Sequence, residues 1–533
     1  MAFTDRLHNR GSISTGYDIE NSLKLEADNT EYLSRTAGAT GSATTWTASM
    51  WVKRTEIGIE AVPIGAVNSG VTTDFWRFRN TDQIRFHVYD ITNAQVYYAD
   101  STAVFRDTAA WYHVILRLDS TNSDASKRLM CFVNGEALTD VTWYGGGSAS
   151  STFGASATSL FLGQYPMYIG RATYSNSAYH SGYIAEVNVL DGIAAEPTDF
   201  GEYDEDSGIW KPKAYTGSYG TNGFYLDFKD AANLGNDASG NGNNFTENNI
   251  TSVDQATDTP TNNFCTLNPI SYDVPYIATQ GNTKWSKNDT TYGMASGTHY
   301  VGAGKWYWEI KATDINTYNS CRFGIIDAAK PTVGANEYGY EDPSLSANDP
   351  EILAMSGSPN NWYMNSNSTI ANNGSTNSVD YSFYDGDILA FALDMDNGGY
   401  WMGSSVFQGR ANGSFWIAPN GTSGSVAITD PTNGNYAIVG DGGGTNLGTP
   451  NFNGGTINGG SLLTAGFTLV TPLLGAYSAN TSAILEVNFG GFTSYGETGG
   501  YSDENGYGNF AYAVPSGFYC LCSKNIAEFG GTA

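Results

Sequence analysis

The sequence predicts an all-β protein of tandem antiparallel β-sandwiches. Three observations carry the prediction: apolar and polar residues alternate with period two down the whole chain, turn residues punctuate the alternating runs, and no stretch sustains a 3.6-residue period. Composition agrees. Aromatics make up 14% of residues (35 Tyr, 25 Phe, 12 Trp) beside 64 glycines, a pairing that suits strands packed face to face and joined by tight turns.

Alternation marks a strand with one face in a core, because successive side chains point to opposite sides. The first clear run is Ile84, Phe86 and Val88, followed by Val114, Leu116 and Leu118 against His113, Ile115 and Arg117. Phe132-Val133-Asn134-Gly135 predicts a tight hairpin, since Asn-Gly supplies the two positive-φ residues such a turn needs. Tyr183, Ala185, Val187 and Val189 then stand against Glu186 and Asn188. Later runs are Phe224, Leu226, Phe228; Trp306, Trp308, Ile310; Leu389, Phe391, Leu393, Met395; and Leu485, Val487, Phe489. A second hairpin is expected at Asp394-Met395-Asp396-Asn397-Gly398, ahead of Tyr400-Trp401.

A chain of 533 residues exceeds one hydrophobic core. The predicted division is an N-terminal arm over 1–18 carrying Arg6, His8 and Arg10, a sandwich over 19–230, a linker over 231–264, a second sandwich over 265–525, and a tail over 526–533. The linker is placed where apolar runs give way to Asn, Gly, Asp and Thr. The Gly-rich stretch 440–460 is flanked by strand-like runs and reads as a long loop within the second sandwich.

The 53 acidic residues outnumber 25 basic ones, for a formal charge of -28 that repels phosphate backbones and anionic membrane surfaces. Nucleic acid is excluded as an expected partner. No window approaches 18 apolar residues, so no membrane insertion is expected. The N-terminus lacks an apolar signal region, which points to assembly in a cytosol. Cys131, Cys265, Cys321, Cys520 and Cys522 follow no metal or redox spacing and read as reduced packing residues.

Catalytic patterns are missing: there is no G-x-S-x-G, no H-E-x-x-H and only five histidines. Gly302-Ala303-Gly304-Lys305 lacks the first glycine of a phosphate loop and opens a strand. The acidic run Glu202, Asp204, Glu205, Asp206 sits between glycines without apolar alternation and reads as a solvated loop. For calcium, Asp237, Ser239 and Asn241 place oxygens at alternate positions before Gly242, although an Asx-rich turn is the commoner use of such a sequence. No other cofactor is expected. Trp362, Tyr363, Tyr400 and Trp401 lie in or beside turn-rich sequence and are the candidate ligand-binding residues, as a platform on which pyranose faces could stack. Burial in a core is the commoner fate of such aromatics.

Two stretches resemble known modules. Residues 19–230 resemble the LamG-type concanavalin A-like (jelly-roll) sandwich, through NSLKLEADNTEYLSRT (21–36), WTASMWVKRTEIG (46–58), AWYHVILRLDST (110–121), CFVNGEAL (131–138), YIGRA (168–172) and SGYIAEVNVLDG (181–192). Residues 265–525 resemble a SPRY domain, through GKWYWEIKAT (304–313), CRFGIID (321–327), YGY (338–340), YDGDILAFALDMDNGGYWMG (384–403), LEVNFGG (485–491) and FAYAVPSGFYCLC (510–522). Gly403-Ser404-Ser405 replaces the usual Asn-Gly of that family, and the 440–460 insertion departs from its compact form. The tandem arrangement resembles virion proteins of tailed bacteriophages, marine ones in particular. That resemblance implies a tail fibre, tail tip or head-associated fibre, assembled in the host bacterial cytoplasm and located in the virion. It implies a homo-oligomer that contacts other virion proteins and a host-surface glycan or receptor. A purely architectural decoration protein is the alternative. A polysaccharide depolymerase ranks below both, because no paired carboxylates and no E-x-D-x-x-E strand pattern are present, and the protein is not expected to be an enzyme. The family motifs are fold signatures and carry over no functional residue.

Overall fold

In a computed structural model of the protein, the described residues are 16–69, 72–145, 153–172, 178–205, 207–269, 277–287, 293–315, 321–327, 361–365, 369–372, 375–378, 384–396, 399–403, 468–476, 483–496 and 499–530. Most of the basic arm and the whole Gly-rich stretch 440–460 lie outside them. The chain divides into two compact units with the boundary between Asn263 and Phe264.

The strands of the first unit are β1 (Ser22–Leu25), β2 (Tyr32–Thr36), β3 (Thr45–Arg54), β4 (Ala61–Ser69), β5 (Thr72–Phe78), β6 (Gln83–Asp90), β7 (Gln95–Val104), β8 (Trp111–Asp119), β9 (Leu129–Val133), β10 (Glu136–Ala137), β11 (Val141–Gly145), β12 (Pro166–Ile169), β13 (Gly182–Asp191), β14 (Gly201–Tyr203), β15 (Trp210–Pro212), β16 (Phe224–Leu226), β17 (Thr246–Asn248) and β18 (Gln255–Ala256). One sheet runs β10-β9-β8-β3-β13-β1-β18, with β16 also on β13, and the other runs β11-β7-β6-β5-β4-β12-β2-β17. Their pairings are antiparallel. Trp46, Met50, Val114 and Leu116 of the first sheet share one core with Trp76, Phe78, Phe86 and Ile169 of the second, which makes the unit a sandwich.

Local chemistry accounts for the turns. Asn134 and Gly135 take φ of 48° and 84° and close the β9–β10 hairpin with Val133 opposite Glu136, as the Asn-Gly pair predicts. The β6 pattern alternates strictly, with Ile84, Phe86 and Val88 buried. In β8 both phases are buried, because Ile115 packs on the far side of its sheet with Phe132, Leu190, Ala195 and Phe200. In β13 a bulge between Ala185 and Asn188 puts Glu186 at a φ of 52°, where its carboxylate accepts the Tyr17 hydroxyl at 2.6 Å and the Tyr225 hydroxyl at 2.7 Å.

The expected linker over 231–264 is corrected by the structure: all but its last residue belongs to the first unit. Within it, β17 adds to β2 and β18 adds to β1. Leu234, Phe245 and Ile250 enter the core. Asp254 lies 2.6 Å from Lys24 Nζ and Asp258 lies 2.7 Å from Lys53 Nζ, both inside the protein. Buried lysines demand paired acids, and this segment supplies them.

In the second unit one sheet orders Ile277–Thr279, Lys284–Lys287, Ala483–Asn488, Lys305–Asp314, Ile388–Asp394 and Gly399–Gly403, with Tyr519–Cys520 running parallel beside Lys305–Asp314. The other orders Gly293–Ser296, Val470–Ala476, Cys321–Asp327, Asn361–Asn365, Thr369–Asn372 and Ser375–Ser378. Trp308, Phe391 and Leu485 meet Phe323 and Leu474 in its core. The expected tail from 526 is also corrected. A short helix, α1 (Ser523–Phe529), continues the fold, and Phe529 stacks on Tyr519 with centroids 3.9 Å apart. All five cysteines are buried.

Candidate functional site

The residues singled out from sequence do not assemble into one site. Tyr400 and Trp401, expected as an exposed sugar platform, are core residues with 4% and 0% of their surface accessible. Their strand lies under cover on both faces: Tyr400 stacks on Trp308 with centroids 6.0 Å apart, and Trp401 meets Phe518 edge-on at 5.9 Å. Trp362 and Tyr363 sit on the strand Asn361–Asn365, paired with Ile325 and Gly324, and their side chains lie outside the described residues.

The candidate calcium loop is a hydrogen-bonded turn. Asp237 Oδ1 accepts the amides of Ser239 and Tyr225, each at 2.9 Å, and Oδ2 accepts the Asn243 amide at 2.7 Å. Asn241 Nδ2 donates to the carbonyls of Gly220 and Gly223. Both Asp237 oxygens and Ser239 Oγ thus face N–H groups, and among the described residues no cluster of His, Cys, Asp or Glu could hold a metal.

The structure brings together a different set. On the face of the second sheet turned away from the core, one line of registered positions crosses successive strands: Tyr144 of β11 opposite Tyr98 of β7, Tyr98 opposite His87 of β6, His87 opposite Phe75 of β5, Phe75 opposite Gly65 of β4, and Gly65 opposite Tyr168 of β12. Four of these rings form a stacked row. Centroids are 5.3 Å apart for Tyr144 and Tyr98, 5.8 Å for Tyr98 and His87, and 4.6 Å for His87 and Phe75. Tyr144 ends the row on an edge strand and is 40% exposed. Among the described residues the hydroxyls of Tyr98, Tyr144 and Tyr168 have no hydrogen-bond partner. Past the gap at Gly65, Arg171 lies over Tyr32, Tyr168 and Tyr179, 4.4 to 5.4 Å from their ring centres.

A second line runs beside the first. Asp100 of β7 opposes Arg85 of β6, which opposes Arg77 of β5. Asp100 takes Nε and Nη2 of Arg85 and, at 2.8 Å, Nη1 of Arg79. Glu60 lies 2.7 Å from Arg77 Nη1. These contacts hold Asp100 below the ordinary carboxylate range against the effect of burial. Arg85 also lies over the Tyr98 ring at 4.5 Å and reaches Tyr144 at 5.9 Å. His87 donates Nδ1–H to the Thr73 carbonyl, since a carbonyl only accepts, and burial brings its pKa down to about 4, so the ring is neutral at pH 7.

One constellation resembles a nucleophile and its base. Ser49 Oγ lies 2.8 Å from His113 Nε2, but Trp210 Nε1 donates to His113 Nδ1 at 2.9 Å. Indole nitrogen only donates, so Nδ1 is the acceptor and Nε2 carries the hydrogen, which it gives to Ser49. The histidine therefore cannot take the serine proton, and both residues are buried. In the second unit the buried Glu309 carboxylate accepts Tyr307 and Tyr495 hydroxyls and the amides of Ala511 and Tyr512, a complete set of structural bonds.

Sequence reasoning missed Tyr98, Tyr144, His87 and Phe75, because only strand register aligns them. The usable signal was the polar phase of β6, where Arg85 and His87 alternate with the core residues.

A family profile described as the concanavalin A-like lectin/glucanases superfamily matches residues 27–196. Among solved structures, the chain is similar to the SPRY domain of human HERC1 at 13% identity, covering 40% of this chain and 91% of that one with a TM-score of 0.23. It is similar to the mouse laminin alpha1 chain, domains LG4-5, at 8% identity, covering 76% and 78% with a TM-score of 0.26. It is similar to the native heptameric SAP-like pentraxin from Limulus polyphemus at 12% identity, covering 33% and 78% with a TM-score of 0.21. No curated protein matches the sequence. The first unit thus contains a concanavalin A-like domain of the LamG type, within a chain built almost wholly of antiparallel sheets.

Proposed function

We propose that the protein is a glycan-binding appendage component of a tailed-phage virion, and that its first unit binds the glycan on the outer face of the β11-β7-β6-β5-β4-β12-β2-β17 sheet. The observation that carries the binding site is the stacked row from Tyr144 to Phe75, with hydroxyls unpartnered among the described residues and an exposed ring at its end. Sugars are recognised by this combination, because C–H faces pack on aromatic rings while hydroxyls pair with fixed polar groups. The lectin-type fold of residues 27–196 supports the reading. The virion role is supported by the tandem sequence resemblance and by the acidic surface.

A panel of immobilised bacterial surface oligosaccharides tests the binding. The intact protein is expected to retain at least one of them, and Tyr144→Ala and Tyr98→Ala are each expected to weaken retention about tenfold. Retention unchanged in both variants would refute this face as the site. Immunogold labelling of particles tests the virion role: signal at distal fibres fits an adhesin, signal buried in the shell fits the architectural alternative, and no signal removes the virion assignment.

A further inference from the structure

We infer that the outer face of this sheet takes a carboxylated oligosaccharide, such as a uronate or sialate polymer, in preference to its neutral counterpart; the inference rests on the glycan-binding reading above. The argument begins with charge. The protein carries 53 acidic residues against 25 basic ones, yet beside the aromatic row the guanidiniums of Arg77, Arg79 and Arg85 cluster around the carboxylates of Asp100 and Glu60. A cluster of arginines in a strongly negative molecule is a local feature of this face.

Register sharpens the point. Arg77 and Arg85 are directly opposed on adjacent strands, an arrangement in which like charges oppose folding. Burial and repulsion from Arg85 and Arg79 bring Arg77 down to about 10 despite the attraction of Glu60, so Arg77 remains charged at neutral pH. An added carboxylate would relieve that repulsion. Asp100 also orients its neighbours: by holding Nε and Nη2 of Arg85, it leaves Nη1 with no acceptor among the described residues, and Arg79 Nη2 is in the same position. Guanidinium donors fixed in this way match a carboxylate better than a hydroxyl, because charge-assisted bonds are shorter and stronger.

Position completes the case. The Arg85 guanidinium lies within 6 Å of both the Tyr98 and Tyr144 ring centres. A sugar packed on the exposed Tyr144 ring therefore brings a C5 or C1 carboxylate within reach of Arg85 and Arg79. The aromatic row supplies affinity for the ring, and the arginines select for its acid group.

The test is calorimetric titration of the full chain with oligogalacturonate, mixed mannuronate–guluronate and sialyl oligosaccharides, each beside its carboxyl-reduced counterpart. At least one acidic member is expected to bind about tenfold more tightly than its reduced form. Arg85→Gln is expected to bring that ratio close to one, and Arg85→Lys to restore part of it, with folding of each variant checked by hydrogen exchange. Equal affinity for acidic and reduced forms, or a ratio unmoved by Arg85→Gln, overturns the acid preference and leaves glycan binding standing. No binding of either form in any pair overturns the glycan reading itself.

Discussion

Replacing Asp258 with alanine tests whether residues beyond 230 belong to the first sandwich. Lys53 Nζ is fully buried in β3, 2.7 Å from Asp258 Oδ2 and 2.7 Å from Asn263 Oδ1, while Asp258 Oδ1 accepts the Trp111 indole N–H at 3.1 Å. The variant removes this buried carboxylate from both the lysine and the indole. Loss of one partner of a buried pair costs about 3–5 kcal/mol, most of it the uncompensated charge. At about 1.4 kcal/mol per tenfold, a loss of 4 kcal/mol lowers hydrogen-exchange protection of the β3 amides about a thousandfold. The double variant Lys53→Met with Asp258→Leu is expected to recover most of that protection, because apolar residues of similar size replace a buried pair at little cost. A single variant with protection within threefold of the parent would refute the reasoning, since a linker aspartate could be lost at no such cost.

Trp210→Phe keeps an aromatic ring but removes the donor to His113 Nδ1; a loss of about 1–3 kcal/mol in urea unfolding is expected, with no hydrolytic activity gained or lost. Burial holds His113 and His180 down to about 3 and His87 to about 4. Unfolded histidine takes a proton below about pH 6.5 while these do not, so their stabilisation is complete above pH 6.5 and is lost as pH falls toward 4 and then 3. The free energy of urea unfolding is expected to fall between about pH 6 and pH 5 with a slope approaching about 1.4 kcal/mol per pH unit for each histidine, and no fall attributable to them would contradict their burial. Truncation after Lys229 is expected to leave the first unit unfolded by near-ultraviolet dichroism, because it removes Leu234, Phe245, Ile250 and both buried acids.

The strands were legible in sequence wherever one face is buried, as in Ile84, Phe86 and Val88, and the β9–β10 turn was legible because only a few residue pairs adopt positive φ together. The segment 231–264 was not legible as part of a domain. It is held less by apolar periodicity than by side-chain caps, with Asp237, Asn241 and Asn243 bonded to the backbone at Gly220, Thr221, Gly223 and Tyr225. Tyr400 and Trp401 misled for a related reason: beside a turn they read as exposed, yet the residues from 499 onward cover that sheet's second face. The aromatic row could not be read at all before register was known. Tyr144, Tyr98, His87 and Phe75 lie on four strands, each in the polar phase of its own strand, where no single window distinguishes them.

The outer face of the first unit is tested most directly by a structure of the protein bound to an acidic oligosaccharide that it retains. The ligand is expected against the exposed ring of Tyr144 and the edge of Tyr98, with a carboxylate paired to Arg85 or Arg79. A ligand seated on any other surface, with this row of rings unchanged and uncovered, would contradict the assignment.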